Sequence, residues 1–295
     1  MEQLSRGGRA AFPFALAAAL TLAGCATPQV AQAQAQAQGA AAEAPSMPAL
    51  TFVDLAELVE AAPTIAIVEI ADQATVEPER SPGLASGDVR LYLEARTEAL
   101  LAGRSAVGES LTFLADRALD PRGRAPRLRK QRFIVFATTV PGRPGQLQLV
   151  DPKAMFPAEP VLTERVRSVI AAVAANDLPP KVTGVRDVIS VPGNLVGESE
   201  TQMFVETASG APVSLSVIRR PGMEPSWGVS WSEIVDASAR APAPETVEWY
   251  RLACGLPAEL PADAFLQEEG RSRQQAREDY RYILQQLGPC ERTRG

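Results

Sequence analysis

Alternating apolar and polar residues mark one segment of the chain as a long β-strand. Over residues 88–99, Val89, Leu91, Leu93 and Ala95 share one face, and charged or aromatic residues occupy the other. Because successive side chains of a strand point to opposite faces, this pattern predicts a strand with one buried and one exposed side. Apolar, β-branched runs predict further strands at residues 64–70, 109–115, 132–140 and 146–150.

Other segments repeat their apolar residues at the spacing of an α-helix. Phe52, Leu55, Ala56 and Val59 fall on one helical face, and Thr51 precedes them as a capping residue. The same spacing predicts further helices at residues 161–174, 244–253, 261–268 and 271–287. Strands are predicted between them at residues 181–191, 200–207, 211–219 and 227–235. The sequence therefore predicts an α+β protein.

A proline-rich segment at residues 151–160 interrupts these patterns and predicts a boundary. We expect a β-rich domain at residues 51–158 and an α+β domain with C-terminal helices at residues 159–295. About five antiparallel strands in the first domain indicate a small closed or half-closed barrel. The strand order and the sequence RFIVFA at residues 132–137 resemble OB-type barrels of the netrin-like kind. This resemblance implies an OB-like barrel and carries no activity with it.

The chain begins with a positive segment and a short apolar run. Arg6 and Arg9 precede the run, which covers residues 11–24 and is almost wholly apolar. A helix over this run spans only about 21 Å at roughly 1.5 Å per residue, whereas a bilayer core needs about 20 residues. The pattern therefore predicts a secretory signal peptide and not a transmembrane helix.

Residues 22–25, with the sequence Leu-Ala-Gly-Cys, resemble the lipobox of bacterial lipoproteins. The resemblance implies that residues 1–24 are a lipoprotein signal peptide and that Cys25 becomes the acylated N-terminus. Because Ala26 and not aspartate follows the cysteine, it also implies the outer membrane, with the protein facing the periplasm. Two or more acyl chains, such as the two of a diacylglycerol together with a palmitate, anchor a protein stably. Residues 25–50 are rich in alanine and glutamine and are expected to form a disordered tether.

The chain has three cysteines and no histidine. With Cys25 acylated, Cys254 and Cys290 remain as an even pair in an oxidising compartment, which predicts a disulfide bond. The lack of histidine excludes Ser-His-Asp and Cys-His catalysis and histidine-ligated zinc. We therefore expect no metal site and no cofactor.

The formal net charge of −6 disfavours nucleic acid as a partner, because phosphate binding needs a basic face. Against this acidic background, residues 117–132 are strongly basic. The central basic residues of this stretch are Arg122, Arg124, Arg127, Arg129 and Lys130. Such a stretch is typical of a solvated loop between strands. It is also typical of a site that contacts anionic lipid headgroups, lipopolysaccharide or peptidoglycan.

A second candidate site combines arginine with tryptophan. Arg219 and Arg220 precede a proline- and glycine-containing turn, and Trp227 and Trp231 follow it. Residues four apart in a strand share a face, so the two indoles lie on the same side. Beside arginine they can stack on a sugar or take part in cation–π contacts. Equally, they can pack beneath a neighbouring helix.

Taken whole, the chain resembles the uncharacterised envelope lipoproteins of alphaproteobacteria. The lipobox, the strands at residues 64–100 and the run SETQMFVE carry this resemblance, which implies a location and no substrate. We expect a non-catalytic binding or scaffold protein, held to the membrane by its lipid anchor. The alternative is a histidine-free envelope hydrolase that acts on glycan through paired carboxylates. A deep pocket with two close acids would favour the hydrolase, and a shallow apolar or basic face would favour binding.

Overall fold

The computed structural model of the protein describes residues 49–103, 106–232 and 239–294. This part of the chain is α+β, as the apolar periodicities predict, with two antiparallel sheets and four α-helices. None of these helices is long and apolar enough to cross a bilayer. The predicted signal peptide, Cys25 and all but the last two residues of the predicted tether lie outside the described residues.

The first sheet has six strands in the order β3-β2-β1-β4-β5, with β6 paired to β4. Its strands and the two helices around them are α1 (Phe52–Ala61), β1 (Thr64–Thr75), β2 (Asp88–Gly103), β3 (Ser110–Ala118), β4 (Arg132–Thr139), β5 (Leu147–Leu149), β6 (Met155–Pro157) and α2 (Pro160–Val173). Helix α1 begins with a capping box, because Thr51 and Asp54 each accept a hydrogen bond from the other's backbone N–H. The predicted alternation in β2 is confirmed, since every second residue from Val89 to Ala95 is buried.

One hydrophobic cluster joins this sheet to both helices. Helix α2 contributes Val166 and Val169 to it, so the packing of the first sheet extends past residue 158. The second cluster begins at Val182. The division into domains at residues 51–158 and 159–295 stays a prediction.

The two edge strands of the first sheet approach each other without pairing along their length. Thr112 N–H in β3 donates to Gly145 O at 2.8 Å, and Asp116 N–H donates to Pro152 O at 2.8 Å. A single parallel bridge joins Thr112 to Gln146 beside the first of these bonds. Within the described strands, continuous pairing does not close the sheet, so a closed barrel is not formed. We call this partly open junction between β3 and β5 the seam.

The second sheet has the order β10-β9-β8-β7. Its elements are β7 (Val182–Pro192), β8 (Ser199–Thr207), β9 (Val213–Arg219), β10 (Ser226–Ser230), α3 (Val247–Gly255) and α4 (Gly270–Leu287). Helix α4 packs Ala276, Tyr280 and Ile283 into the second cluster, as its periodicity predicts. This sheet is a plain antiparallel meander in which each strand pairs with the next.

The helix predicted at residues 261–268 is wrong. Only Ala262–Ala264 form a single 3₁₀ turn, and the chain then runs beside the edge strand β7. Leu266 N–H donates to Val188 O at 3.0 Å, and the Gln267 side chain accepts from Ser190 N–H at 2.9 Å. Pairing with the open strand edge satisfies backbone groups that a short helix would leave exposed, and this outweighs the local helical pattern.

A buried ion pair joins α1 to the second half of the chain. Glu60 accepts a hydrogen bond from Arg251 in α3 and lies 2.8 Å from the Lys181 Nζ. Burial acts to raise the pKa of Glu60, but the hydrogen bonds from Arg251 and Lys181 outweigh it and lower the pKa. At the other end of α1, the ring of Phe52 packs edge-on against Trp249 of α3, with 6.3 Å between the ring centres. The two clusters are therefore fixed to each other by charge and by aromatic packing.

Candidate functional site

A groove of about 950 Å³ lies over the seam of the first sheet. One wall comes from β2 and β3, and the other from β5 and the turn before it. The connection from β1 to β2 closes one end. The groove is present because β3 and β5 meet at two backbone hydrogen bonds and stay apart between them. Its volume lies in the range of ligand-binding sites of proteins.

An apolar platform forms the exposed wall of the groove. Tyr92 in β2 and Leu114 in β3 are directly opposite each other in the antiparallel register. Tyr92 is 38 % exposed and Leu114 is 47 % exposed, although both are large apolar side chains. They stand on the outer side of the sheet, where their neighbours along the strands are charged or polar. The aromatic ring and the leucine are therefore available to a ligand.

An aspartate–arginine pair braces the sheet next to this platform. Arg90 Nε donates to Asp116 Oδ1 at 2.7 Å, and Arg90 Nη2 donates to Asp116 Oδ2 at 2.8 Å. The third nitrogen of Arg90 donates to Pro82 O at 3.2 Å, which ties the β1–β2 connection to the sheet. The hydrogen bond to Asp116 raises the pKa of Arg90. Both carboxylate oxygens of Asp116 are thus engaged by one guanidinium.

Amides and a balanced set of charges complete the lining. Gln146 and Gln148 lie on the β5 side, and the Gln146 Oε1 accepts from Arg143 at 3.3 Å. Glu77 and Arg80 come from the β1–β2 connection. With Arg90 and Asp116, the lining carries two positive and two negative side chains. The groove is electrically balanced and rich in groups that both donate and accept hydrogen bonds.

A smaller depression of about 370 Å³ lies on the outer face of the second sheet. Its lining includes Arg186, Phe204 and Ser232. Because its volume is less than half that of the groove, we place the candidate site at the seam.

The basic stretch predicted from the sequence is dispersed by the fold. Arg124 is bound to Asp120 at 2.8 Å, and Arg129 lies 3.6 Å from Asp72. Arg117, at the start of the stretch, is half-buried with its guanidinium over a phenylalanine ring, and desolvation lowers its pKa to about 10. Three exposed cations of the stretch have no ion-pair partner among the described residues. They are Arg122, Arg127 and Lys130.

The structure does not bring the predicted arginine–tryptophan residues into one exposed patch. Arg219 is bound to the buried Asp279 at 2.5 Å, while Arg220 is exposed at the turn after β9. Trp227 and Trp231 are half-buried and pack against the second hydrophobic cluster. Their arrangement corresponds to the packing alternative and leaves little of either indole for stacking on a ligand.

Cys254 and Cys290 lie at disulfide-bonding distance, with 5.2 Å between their Cα atoms. Just beyond Cys290, Thr293 donates from both its N–H and its hydroxyl to Asp54 Oδ2 at the start of α1. Burial acts to raise the pKa of Asp54, but the hydrogen bonds from Thr293 and Thr51 outweigh it and lower the pKa. The C-terminal segment therefore connects α3 to the start of α1.

The remaining chemistry of the described residues is sparse. They contain no group of three or more cysteine, aspartate or glutamate side chains that could hold a metal ion. Comparison of the whole chain with protein-family models gives no match, and comparison with curated proteins gives no significant match. The groove is therefore the feature from which we infer a function.

Proposed function

We propose that the protein is a non-catalytic binding protein and that the groove at the seam binds an oligosaccharide. The observation that carries this proposal is the exposed Tyr92–Leu114 pair inside a groove lined by amides. Sugar rings present C–H faces that pack on an aromatic ring, and hydroxyl groups that both donate and accept hydrogen bonds. Glutamine amides such as those of Gln146 and Gln148 also do both, so they match this ligand chemistry.

We further propose that the first sheet is a partly open OB-type barrel. The strand order supports it, since β1 lies between β2 and β4 and the edge strands β3 and β5 meet in parallel at Thr112 and Gln146. OB-type barrels bind oligosaccharides and oligonucleotides on the face of strands 2 and 3, between the loops that follow strands 1 and 4. The groove has this position. The balanced charge of its lining and the acidic net charge favour the oligosaccharide.

The place of action proposed here is the cell envelope. The lipobox-like sequence at Cys25 supports a lipid anchor, and Ala26 supports the outer membrane facing the periplasm. Peptidoglycan would then be the glycan within reach of the tether. If Cys25 is the acylation site, Cys25→Ala abolishes incorporation of labelled palmitate. Undiminished labelling would contradict the anchor.

Contact with anionic lipid or lipopolysaccharide through the basic stretch is a weaker proposal. Only Arg122, Arg127 and Lys130 support it, because the fold pairs or buries other cations of the stretch. The hydrolase alternative needs two free carboxylates in the groove. Glu77 and Asp116 are the carboxylates that line the groove, but both oxygens of Asp116 are held by Arg90. This favours binding over acid–base catalysis.

Titration calorimetry with soluble peptidoglycan glycan fragments tests the binding proposal. We expect Tyr92→Ala to weaken binding about tenfold, equivalent to about 1.4 kcal/mol, because the ring is lost. Tyr92→Phe keeps the ring and should retain most of the affinity. Leu100→Ala is the matched control, since Leu100 is an exposed leucine of β2 outside the groove.

Equal affinities of the wild type and Tyr92→Ala would contradict the groove as the binding site. The same fragments also test the hydrolase alternative. We expect no release of new reducing ends during prolonged incubation. Release that depends on Glu77, measured with Glu77→Gln, would establish the hydrolase instead.

A further inference from the structure

The turn between β7 and β8 exposes two adjacent aliphatic side chains at one end of the second sheet. Leu195 is 62 % exposed, and Val196 is 98 % exposed. Exposed single aliphatic residues are common on protein surfaces, but two in succession at the apex of a turn are not needed to form it. Glycine or a polar residue would serve a turn equally well.

Hydrogen bonds hold this turn in a fixed shape. The Glu198 carboxylate accepts from Asn194 N–H at 2.9 Å and from Leu195 N–H at 3.2 Å. Gly193 N–H donates to Glu198 O at 2.8 Å, and Glu198 N–H donates to Leu195 O at 3.0 Å. Four backbone N–H groups of the turn are therefore satisfied within the turn itself.

The glycine at position 193 is required for this arrangement. A Cβ atom at Gly193 would lie 2.3 Å from the Glu198 Cγ, far inside contact distance. Gly197 has a φ of +85°, a left-handed conformation that favours glycine. The sequence thus holds the Glu198 side chain against the backbone and leaves Leu195 and Val196 pointing away.

The neighbouring turn carries a third exposed apolar side chain. Ser199 at the start of β8 is paired with Arg219 at the end of β9, so the β7–β8 and β9–β10 turns lie at the same end of adjacent strands. Met223 in the second turn is also largely exposed. We call Leu195, Val196 and Met223 the apolar tip.

We propose that the apolar tip inserts into the surface of a phospholipid bilayer. Backbone polar groups that enter lipid must be satisfied internally. Four of the six N–H groups of residues 193–198 meet this condition through hydrogen bonds within the turn. Glu198 is the ionisable residue of the turn, and its carboxylate is engaged with the backbone. In the second turn, the exposed Arg220 and Glu224 lie close to Met223 along the chain, so the proposed insertion is shallow and keeps these charges at the level of the headgroups.

The size of the apolar tip favours a bilayer over a protein partner. Stable protein interfaces bury about 800 Å² on each partner and surround an apolar centre with a polar rim. Three side chains on two turns offer a few hundred Å² at most. A small convex apolar tip matches instead the shallow insertion by which surface-bound segments enter the headgroup and acyl boundary. This inference is independent of the groove and its ligand.

Insertion depth can be measured on the full chain. A genetically encoded fluorescent amino acid replaces Val196, and the protein is bound to phosphatidylcholine vesicles that carry nitroxide-labelled lipid. The control carries the same fluorophore at position 161. Val161 is 74 % exposed and lies at the start of α2, away from the apolar tip. We expect several-fold stronger quenching at position 196 than at position 161, and no loss of quenching at high salt.

A second variant tests whether the two turns act together. With the fluorophore in place of Met223, Leu195→Asp should reduce quenching by lipid several-fold, because a charge at the apex opposes insertion. Equal quenching at positions 196 and 161 would overturn the proposal. So would quenching that disappears at high salt, or self-association of the labelled chains without contact with lipid.

Discussion

Two aspartate–arginine pairs, one within the first sheet and one between the second sheet and α4, have different structural consequences. In the second sheet, Asp279 of α4 is fully buried and binds Arg219 of β9, so that the pair fixes a helix across the face of the sheet. In the first sheet, Asp116 and Arg90 lie on adjacent strands and bind each other along the sheet. Within the part of the chain that the structure describes, no helix lines the groove that lies there. The pair between Asp279 and Arg219 joins a helix to a sheet and so covers that face of the sheet. The pair between Asp116 and Arg90 joins two strands of one sheet and leaves the face beside it accessible.

The buried network around Asp279 extends this contrast. Thr201 donates to one oxygen of Asp279 and Gln275 donates to the other at 3.1 Å. Asp279 therefore accepts from two strands and from its own helix. Asp116, in comparison, receives its side-chain hydrogen bonds from Arg90 alone among the described residues. The two aspartates should differ in how much they stabilise the fold and in whether their loss affects a ligand.

The largest effect is expected for Asp279→Ala. Removing one partner of a buried ion pair leaves an uncompensated charge, which destabilises a protein by about 3–5 kcal/mol. Part of Arg219 is accessible to solvent, so we expect the lower end of this range. Urea unfolding of the variant measures the free energy of unfolding, with the exposed Asp263→Ala as the control. A loss below about 1 kcal/mol would place Asp279 among ordinary surface carboxylates.

An effect of similar size is expected from removing the predicted disulfide bond. The bond would close a segment with a sequence separation of 36, which in the chain-entropy model corresponds to about 3–4 kcal/mol. Non-reducing mass spectrometry should show the peptides of Cys254 and Cys290 cross-linked, and reduction should lower the melting temperature. Two freely alkylated thiols in protein purified without reductant would rule the bond out. The effect belongs to the C-terminal segment, so the groove should keep its ligand.

Asp116→Ala should destabilise less than Asp279→Ala and should affect the groove more. The pair with Arg90 lies at the edge of the groove, so we expect a loss of about 1–3 kcal/mol in the free energy of unfolding. Because Arg90 also holds the β1–β2 connection through Pro82 O, glycan affinity should fall as well. If Asp279→Ala lowers glycan affinity as much as Asp116→Ala does, the proposed difference between the two aspartates is contradicted.

The smallest effect concerns pH and the start of α1. The pKa of Asp54 in the folded protein lies below its unfolded value of about 3.9, so its stabilising contribution is complete above that pH. The contribution is lost as the pH falls through the folded pKa. Asp54→Asn should therefore flatten the decline in stability below about pH 4. Urea unfolding at a series of pH values measures it, and a variant that declines as steeply as the wild type would contradict the assignment.

Most helices and strands can be predicted from the sequence, because each produces its own local periodicity of apolar residues. Strand β2 and helix α4 follow directly from apolar spacing, and the even cysteine pair is found at bonding distance. The seam has no such signal, since it depends on how β3 and β5 meet after the sheet has curled. Strand β6 was not predicted, because three residues are too short to show a periodicity. The prediction of a helix at residues 261–268 is wrong because the edge of strand β7 offers this segment hydrogen-bond partners.

The candidate sites show the same limit. Arginine and tryptophan are the residues that sequence reasoning selects, but the fold uses Arg219 and both indoles for packing. The alternation in β2 predicts that Tyr92 lies on the exposed face. An exposed aromatic residue is the feature of the sequence that points to the groove. Its partner Leu114 is recognised only once the β2–β3 register is known. A solvent-facing aromatic residue opposite a solvent-facing leucine is a tertiary feature.

Mapping a soluble glycan fragment onto the protein by NMR tests the central claim most directly. Backbone amide signals are followed while a fragment of peptidoglycan glycan is added to the labelled protein. If the groove binds the glycan, the largest chemical-shift changes fall on Tyr92, Leu114 and Gln146, at the seam of the first sheet. Changes centred on Trp227 and Trp231, or no changes at saturating glycan, would contradict the account.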